Sequence, residues 1–129
     1  MPGFVLSGRA AAPVEEVWKL LFDPTCFPEW WAGVETVETG PAGEYTLWTD
    51  GYPDFPMPQR LRTDQPGRVV MSCQVSDIDF IWQLADGGDD TEITVTVALP
   101  DREAHRLDGQ RALISTSLTA LARLAEARR

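Results

Sequence analysis

Residues 12–37 read APVEEVWKLLFDPTCFPEWWAGVETV. Two kinds of period meet in this stretch, and where they meet decides the fold. Pro13 suits the first position of a helix, where its missing N–H costs nothing. Glu15 and Glu16 follow in the first turn, where the helix dipole favours acids. Val14, Val17, Trp18 and Leu21 recur at i, i+3, i+4 and i+7, an amphipathic stripe. Pro24 disfavours α geometry in the residue before it, so the helix ends near Asp23. Residues 25–31, interrupted by Pro28, form a second short helix or a pair of turns. From Val34 onward the period changes, and VETVET is strand-like.

Strands lie on both sides of this segment. Upstream, residues 3–11 form a first strand. Downstream, GPAG turns the chain into EYTLWTD, another strand, in which Tyr45 and Leu47 share one face and Trp48 takes the other; which face is inward stays open. GYPDFPMP (51–58) carries three prolines and cannot be a central strand. Strand character resumes over 59–64, and QPG turns the chain. Val69, Met71, Cys73 and Val75 then alternate with polar or opposite-face residues, as do Ile78, Phe80, Trp82 and Leu84. DGGDD (86–90) is a hairpin turn, and Ile93, Val95, Val97 and Leu99 alternate after it. Half-buried antiparallel strands read this way. The last ~27 residues form a helix about 40 Å long at 1.5 Å per residue. With Ile114 at zero on a helical wheel, Leu107, Leu118, Leu121 and Ala125 fall within about 40° of it, and Gln110, Arg111 and Ser117 lie on or beside that stripe.

Composition narrows the classes. The chain has 129 residues, 43% of them hydrophobic, which suits a single domain over 1–129 with a core that needs no disulfide. Eleven Lys and Arg stand against twenty Asp and Glu, a formal net charge of −9. Nucleic acid binding depends on cations that neutralise phosphate, so nucleic acid is not expected as a partner. No apolar run approaches the ~20 residues that cross a bilayer, and the N-terminal residues lack the pattern of a signal peptide; no membrane insertion and a cytoplasmic location are expected. Cys26 and Cys73 show no metal-like spacing and read as reduced, buried thiols. No metal and no cofactor are expected.

The element order is strand, two short helices, six strands and a long C-terminal helix. It resembles the helix-grip fold of the START-like (SRPBCC) superfamily, an α+β fold in which a curved antiparallel sheet of about seven strands wraps a long C-terminal helix. The residues that carry the resemblance are Ala12-Pro13, Trp18, Asp23-Pro24, Pro28 to Trp30 and Gly33-Val34. They are similar to the opening of the polyketide cyclase/dehydrase and lipid-transport branch. The resemblance implies that the short helices close one end of the sheet, that Trp30 belongs to the structural seam, and that Trp31 points into the cavity mouth or out to solvent, unless both tryptophans simply plug the core.

It also implies an internal cavity for an apolar or aromatic small molecule. Candidate lining residues are Trp31, Tyr45, Leu61, Met71, Cys73, Phe80 and Trp82, with Gln110, Ile114, Ser117 and Leu118 from the helix. Ordinary core packing is the competing reading for each. Tyr52, Phe55 and Met57 lie on a proline-stiffened loop where relatives place a gate; a lid folded onto the core or an oligomer contact would use the same side chains. Glu35, Asp54 and Asp64 are expected near the mouth. Arg62 and Arg111 would hold an anionic ligand or make surface ion pairs. His105, the single histidine, falls on the outer side of its helix. No catalytic residue is assigned.

Three functions follow, in this order: a carrier or sensor of a small hydrophobic molecule, a cofactor-independent cyclase or aromatase, and a chaperone-activator-like interaction module. The protein is expected to be a monomer or homodimer. The inner strand phases are nearly all apolar, which favours the first. With Trp82 in the lining, Trp82→Ala is expected to weaken binding of an apolar probe more than it lowers stability.

Overall fold

In the computed structural model, which describes residues 2–128, β1 (Gly3–Ala10) leads into α1 (Val14–Phe22), a 3₁₀ turn (Pro24–Cys26) and α2 (Phe27–Trp30). Six strands follow: β2 (Val34–Thr39), β3 (Glu44–Thr49), β4 (Met57–Gln65), β5 (Arg68–Cys73), β6 (Asp79–Asp86) and β7 (Thr91–Ala98). A 3₁₀ segment (Asp101–Arg106) and α3 (Leu107–Arg128) complete the chain. The strands form one antiparallel sheet in the order β1-β7-β6-β5-β4-β3-β2. This is the curved seven-stranded sheet with a long C-terminal helix and short helices after the first strand that the sequence leads one to expect.

Local chemistry explains the segment between β1 and β2, with three adjustments. Pro13 is extended, at φ −61° and ψ 154°, and precedes the helix rather than opening it. Its carbonyl accepts from Glu16 N at 3.0 Å. The helix buries Val17, Leu20 and Leu21, so the inner stripe is rotated from the expected one. Trp18 and Val14 are only half-buried, and Trp18 stacks on exposed Phe22 with centroids 5.6 Å apart. At the next turn the Asp23 carboxylate accepts from Thr25 N at 3.0 Å and Thr25 Oγ1 at 2.7 Å. Pro28 lies in the first turn of α2 and so helps to start that helix, where its missing N–H is harmless, instead of breaking it.

Register assigns the faces. Tyr45 pairs with Gln59 and Gln59 with Cys73; Leu61 pairs with Met71 and Met71 with Phe80. Tyr45 and Leu47 are buried on the inner face, Tyr45 against Phe27 of α2, which settles β3, while Trp48 lies on the outer face. β4 begins earlier than expected: Met57 and Pro58 pair with Leu47 and Thr46. Proline is tolerated here because it stands at the start of the strand, and its carbonyl accepts from Gln74 N at 2.9 Å. β5 ends at Cys73, so Val75 leaves the alternation and is 57% exposed; Asp77 turns the chain at φ 60°. At Gly43, φ is +78° and a Cβ would run into the carbonyl oxygen of Leu61, so the β2–β3 turn requires glycine there.

The C-terminal helix is shorter than the sequence suggests. Residues 101–106 are 3₁₀, and α3 has 22 residues, about 33 Å at 1.5 Å per residue. The tighter turn sets Glu103 and Arg106 nearly in line, 3.7 Å apart. α3 buries Ile114, Ser117, Leu118, Leu121, Ala122 and Ala125 against the sheet and α1, and Leu107 is half-buried. Leu118 packs where Gly8 leaves room on β1. Thr91 Oγ1 donates to Ala12 O at 2.8 Å, and the Glu126 carboxylate accepts from Ala11 N at 2.8 Å, fixing the β1–α1 connection to β7 and α3.

Candidate functional site

The two tryptophans occupy the centre of an aromatic cluster at the closed end of the grip. Trp30 is 2% exposed, and its Nε1–H donates to Leu20 O at 3.1 Å. It stands edge-on to Trp82 at 5.3 Å. Helix α2 ends at Trp30, and Trp31 is extended at φ −85° and ψ 110°. That break lets Trp31 stack on its neighbour and meet Phe80 edge-on at 5.1 Å. Trp31 therefore belongs to the packed cluster and to a cavity wall at once.

The cavity measures about 200 Å³ and lies between the sheet and α3. Trp31, Val34, Leu47, Ile78 and Phe80 form an apolar wall, and Leu113 and Gln110 close it from α3. Gln59, Cys73 and Ser76 form a polar side, while Asp50, Tyr52, Met57 and Arg106 stand around the mouth. Ser76 N donates to Cys73 Sγ at 3.5 Å, and Ser76 Oγ accepts from Ile78 N at 3.4 Å. The Gln59 side chain is 5% exposed and makes no hydrogen bond among the described residues.

Of the residues expected to line a cavity, the structure brings together Trp31, Cys73, Phe80 and Gln110, with Tyr52 and Met57 from the loop. The others lie elsewhere. Met71, Trp82 and Ile114 are fully buried in the core, and Leu61 is packed in the same cluster. Tyr45 is buried against Phe27, centroids 5.5 Å apart. Leu118 faces β1. Ser117 is a tether: its Oγ accepts from Ala32 N at 2.9 Å and donates to Leu113 O at 2.7 Å. Phe55 is 63% exposed and stacks edge-on to Tyr52 at 6.1 Å, outside the wall.

The charged candidates also lie elsewhere. Arg111 sits over the Phe4 ring at 5.2 Å, Arg62 is exposed on the outer face, and the arginine at the mouth is Arg106. Glu35, Asp54, Asp64 and His105 are exposed. Cys26 is half-buried rather than buried. Burial, with Asp23 and Glu29 nearby, pushes the Cys26 thiol up from its ordinary value.

Gln59 and Ser76 had not been singled out. Gln59 was within reach of period two, since it lies between Met57 and Leu61 on one face of one strand. Ser76 was not, because its place depends on the turn after β5.

A larger groove, about 570 Å³, runs along the outer face of β2–β4. Glu38, Glu44, Thr46 and Arg60 make its walls largely polar, and Arg60 is paired to Glu44 at 3.2 Å. It offers no continuous apolar wall. No helix among the described residues is long and apolar enough to cross a membrane.

With this geometry in view, comparison with known proteins is informative. The family model for Activator of Hsp90 ATPase homolog 1-like protein matches residues 11–126. The chain belongs to that family, within the START-like (SRPBCC) superfamily. Among curated proteins none matches. Solved structures show the same fold at low identity. A START superfamily protein from Mycobacterium smegmatis is 14% identical, covering 98% of this chain and 95% of that one, with TM-score 0.73. A putative uncharacterized protein from Bacillus thuringiensis is 16% identical, covering 95% and 97%, with TM-score 0.76. The di-domain ARO/CYC BexL of the BE-7585A biosynthetic pathway is 16% identical, with TM-score 0.80; the match covers 98% of this chain and 47% of BexL.

Proposed function

We propose that this family member binds a small apolar or aromatic molecule in the cavity between α3, β3–β6 and the Trp31–Val34 turn. The observation that carries the reading is the aromatic wall of Trp31 and Phe80, edge to face at 5.1 Å, beside a half-open cavity of about 200 Å³. Aromatic faces and edges set at such distances suit another ring. An apolar cavity of about 150 Å³ is enough for benzene, so the void takes one ring with a substituent. It is below the ~300 Å³ at which drug-sized pockets begin, which disfavours a folded poly-keto chain and with it the cyclase reading.

The mouth supports this. Tyr52 and Leu113 line it and are 58% and 40% exposed. Exposed apolar groups gathered at one rim suit an apolar ligand passing through. Tyr52 and Met57 act as the gate; Phe55 braces Tyr52. The interaction-module reading, which the family's description suggests, calls for a filled interior and is weakened by the void.

Toluene titrated into ¹⁵N,¹³C-labelled protein tests the reading. Saturable shifts confined to Trp31, Phe80, Gln110 and Leu113 are expected. Absence of shifts, or shifts centred on Trp48 of the outer groove, overturns it.

A further inference from the structure

On the inner face of the sheet a row with polar members lies beside an apolar one. Tyr45, Gln59 and Cys73 stand opposite one another on β3, β4 and β5. The next row inward is Leu61, Met71 and Phe80. Gln59 is 5% exposed, lines the cavity, and its carboxamide makes no hydrogen bond among the described residues. On its neighbour across the sheet, Tyr45, the hydroxyl is buried and has no hydrogen-bond partner among the described residues. Buried polar groups are ordinarily paired, and an unpaired one is costly. Neither group props up the fold through a bond of its own, and a leucine at position 59 would continue the apolar pattern.

We infer that Gln59 is the specificity residue of this cavity, selecting a neutral ring-bearing ligand with one hydroxyl or carbonyl group at its inner end. The inference rests on the ligand-binding reading above. A carboxamide offers two donors and an acceptor, so it serves a hydroxyl or a carbonyl equally. No charged side chain lines the inner end, where an ionised ligand would stay uncompensated; Asp50 and Arg106 are at the mouth. Trp31 and Phe80 hold the ring, and Gln59 reads the substituent.

The test compares p-cresol with toluene, which differ by one hydroxyl, on the wild-type protein, Gln59→Leu and Gln59→Met. In both variants the cresol Kd is expected to rise about tenfold, the value of one hydrogen bond of ordinary strength, while the toluene Kd changes less than about twofold. If neither probe binds the wild-type protein, the ligand-binding reading falls and this inference with it. If both bind and the cresol-to-toluene ratio is the same in all three proteins, only the role of Gln59 falls. Loss of folding in both variants would likewise overturn it, by showing Gln59 to be structural.

Discussion

Trp30 and Trp31 are neighbours in the chain and yet stack, with ring centroids 5.4 Å apart and planes 22° from parallel. Successive residues on a helix point about 100° apart, so the stack requires α2 to stop between them. The pair divides its duties: Trp30 bonds the end of α1 through Leu20, and Trp31 turns its other side to the cavity. Trp30→Ala is therefore expected to destabilise by about 3–5 kcal/mol, measured by urea unfolding. Trp30→Phe should cost less but leave the Leu20 carbonyl without its donor. A loss below about 1 kcal/mol for Trp30→Ala would contradict the seam assignment.

Trp82 reverses an expectation. It is fully buried beneath Trp30 and does not line the cavity. Trp82→Ala should lose about 3–5 kcal/mol of stability while toluene affinity, measured under conditions where the variant remains folded, changes little. A large loss of affinity with stability intact would place Trp82 in the wall after all.

Much of the fold was legible because its signals are local. Pro24 and Pro28 punctuate the helices, period two marks β5, β6 and β7, and Ile114, Leu118, Leu121 and Ala125 define the stripe of α3. The cavity was harder to read, since period two places Met71, Cys73, Phe80 and Trp82 on one face without saying which are covered. That depends on how deeply Trp30 and Trp31 fill the closed end, a packing outcome with no sequence period. The empty space consequently lies nearer the mouth, at Gln59, Cys73 and Ser76, and Met71 and Trp82 became core. The turn after β5, which exposes Val75 and buries Ser76, likewise carries no periodic signal.

Tyr45 gives a pH dependence with a defined sign. Burial, and to a lesser degree Cys73, pushes its phenol far above the ordinary value of 10. A group whose folded value is raised contributes stability that is fully present below the unfolded value and lost as pH climbs beyond it towards the folded value. Stability should thus hold constant with respect to Tyr45 up to about pH 10 and fall above it by about 1.4 kcal/mol per pH unit. Tyr45→Phe should remove that slope. Since the hydroxyl has no partner among the described residues, the substitution should also leave stability at pH 7 unchanged or raise it by about 1 kcal/mol. Urea melts of both proteins from pH 7 to 11 measure each effect; a Tyr45→Phe loss above about 2 kcal/mol at pH 7 would show a hydrogen bond that stabilises the fold.

Ser117 links the long helix to the turn that bears the cavity wall. Its hydroxyl donates to Leu113 O one turn back at 2.7 Å and accepts from Ala32 N at 2.9 Å, immediately after Trp31. With the side chain fully buried, Ser117→Ala leaves the Ala32 N–H without its acceptor, a loss of about 1–3 kcal/mol. Ser117→Thr retains the hydroxyl but adds a methyl where there is no exposed surface, so strain offsets the retained bond. Because Ala32 and Gly33 border the cavity, Ser117→Ala should also loosen the position of Trp31. The expected signature is faster amide exchange at Ala32 and a severalfold weaker toluene Kd, with the far-UV spectrum intact. Slow exchange at Ala32 in the alanine variant would mean that the turn holds itself, and the helix would then have no part in shaping the aromatic wall.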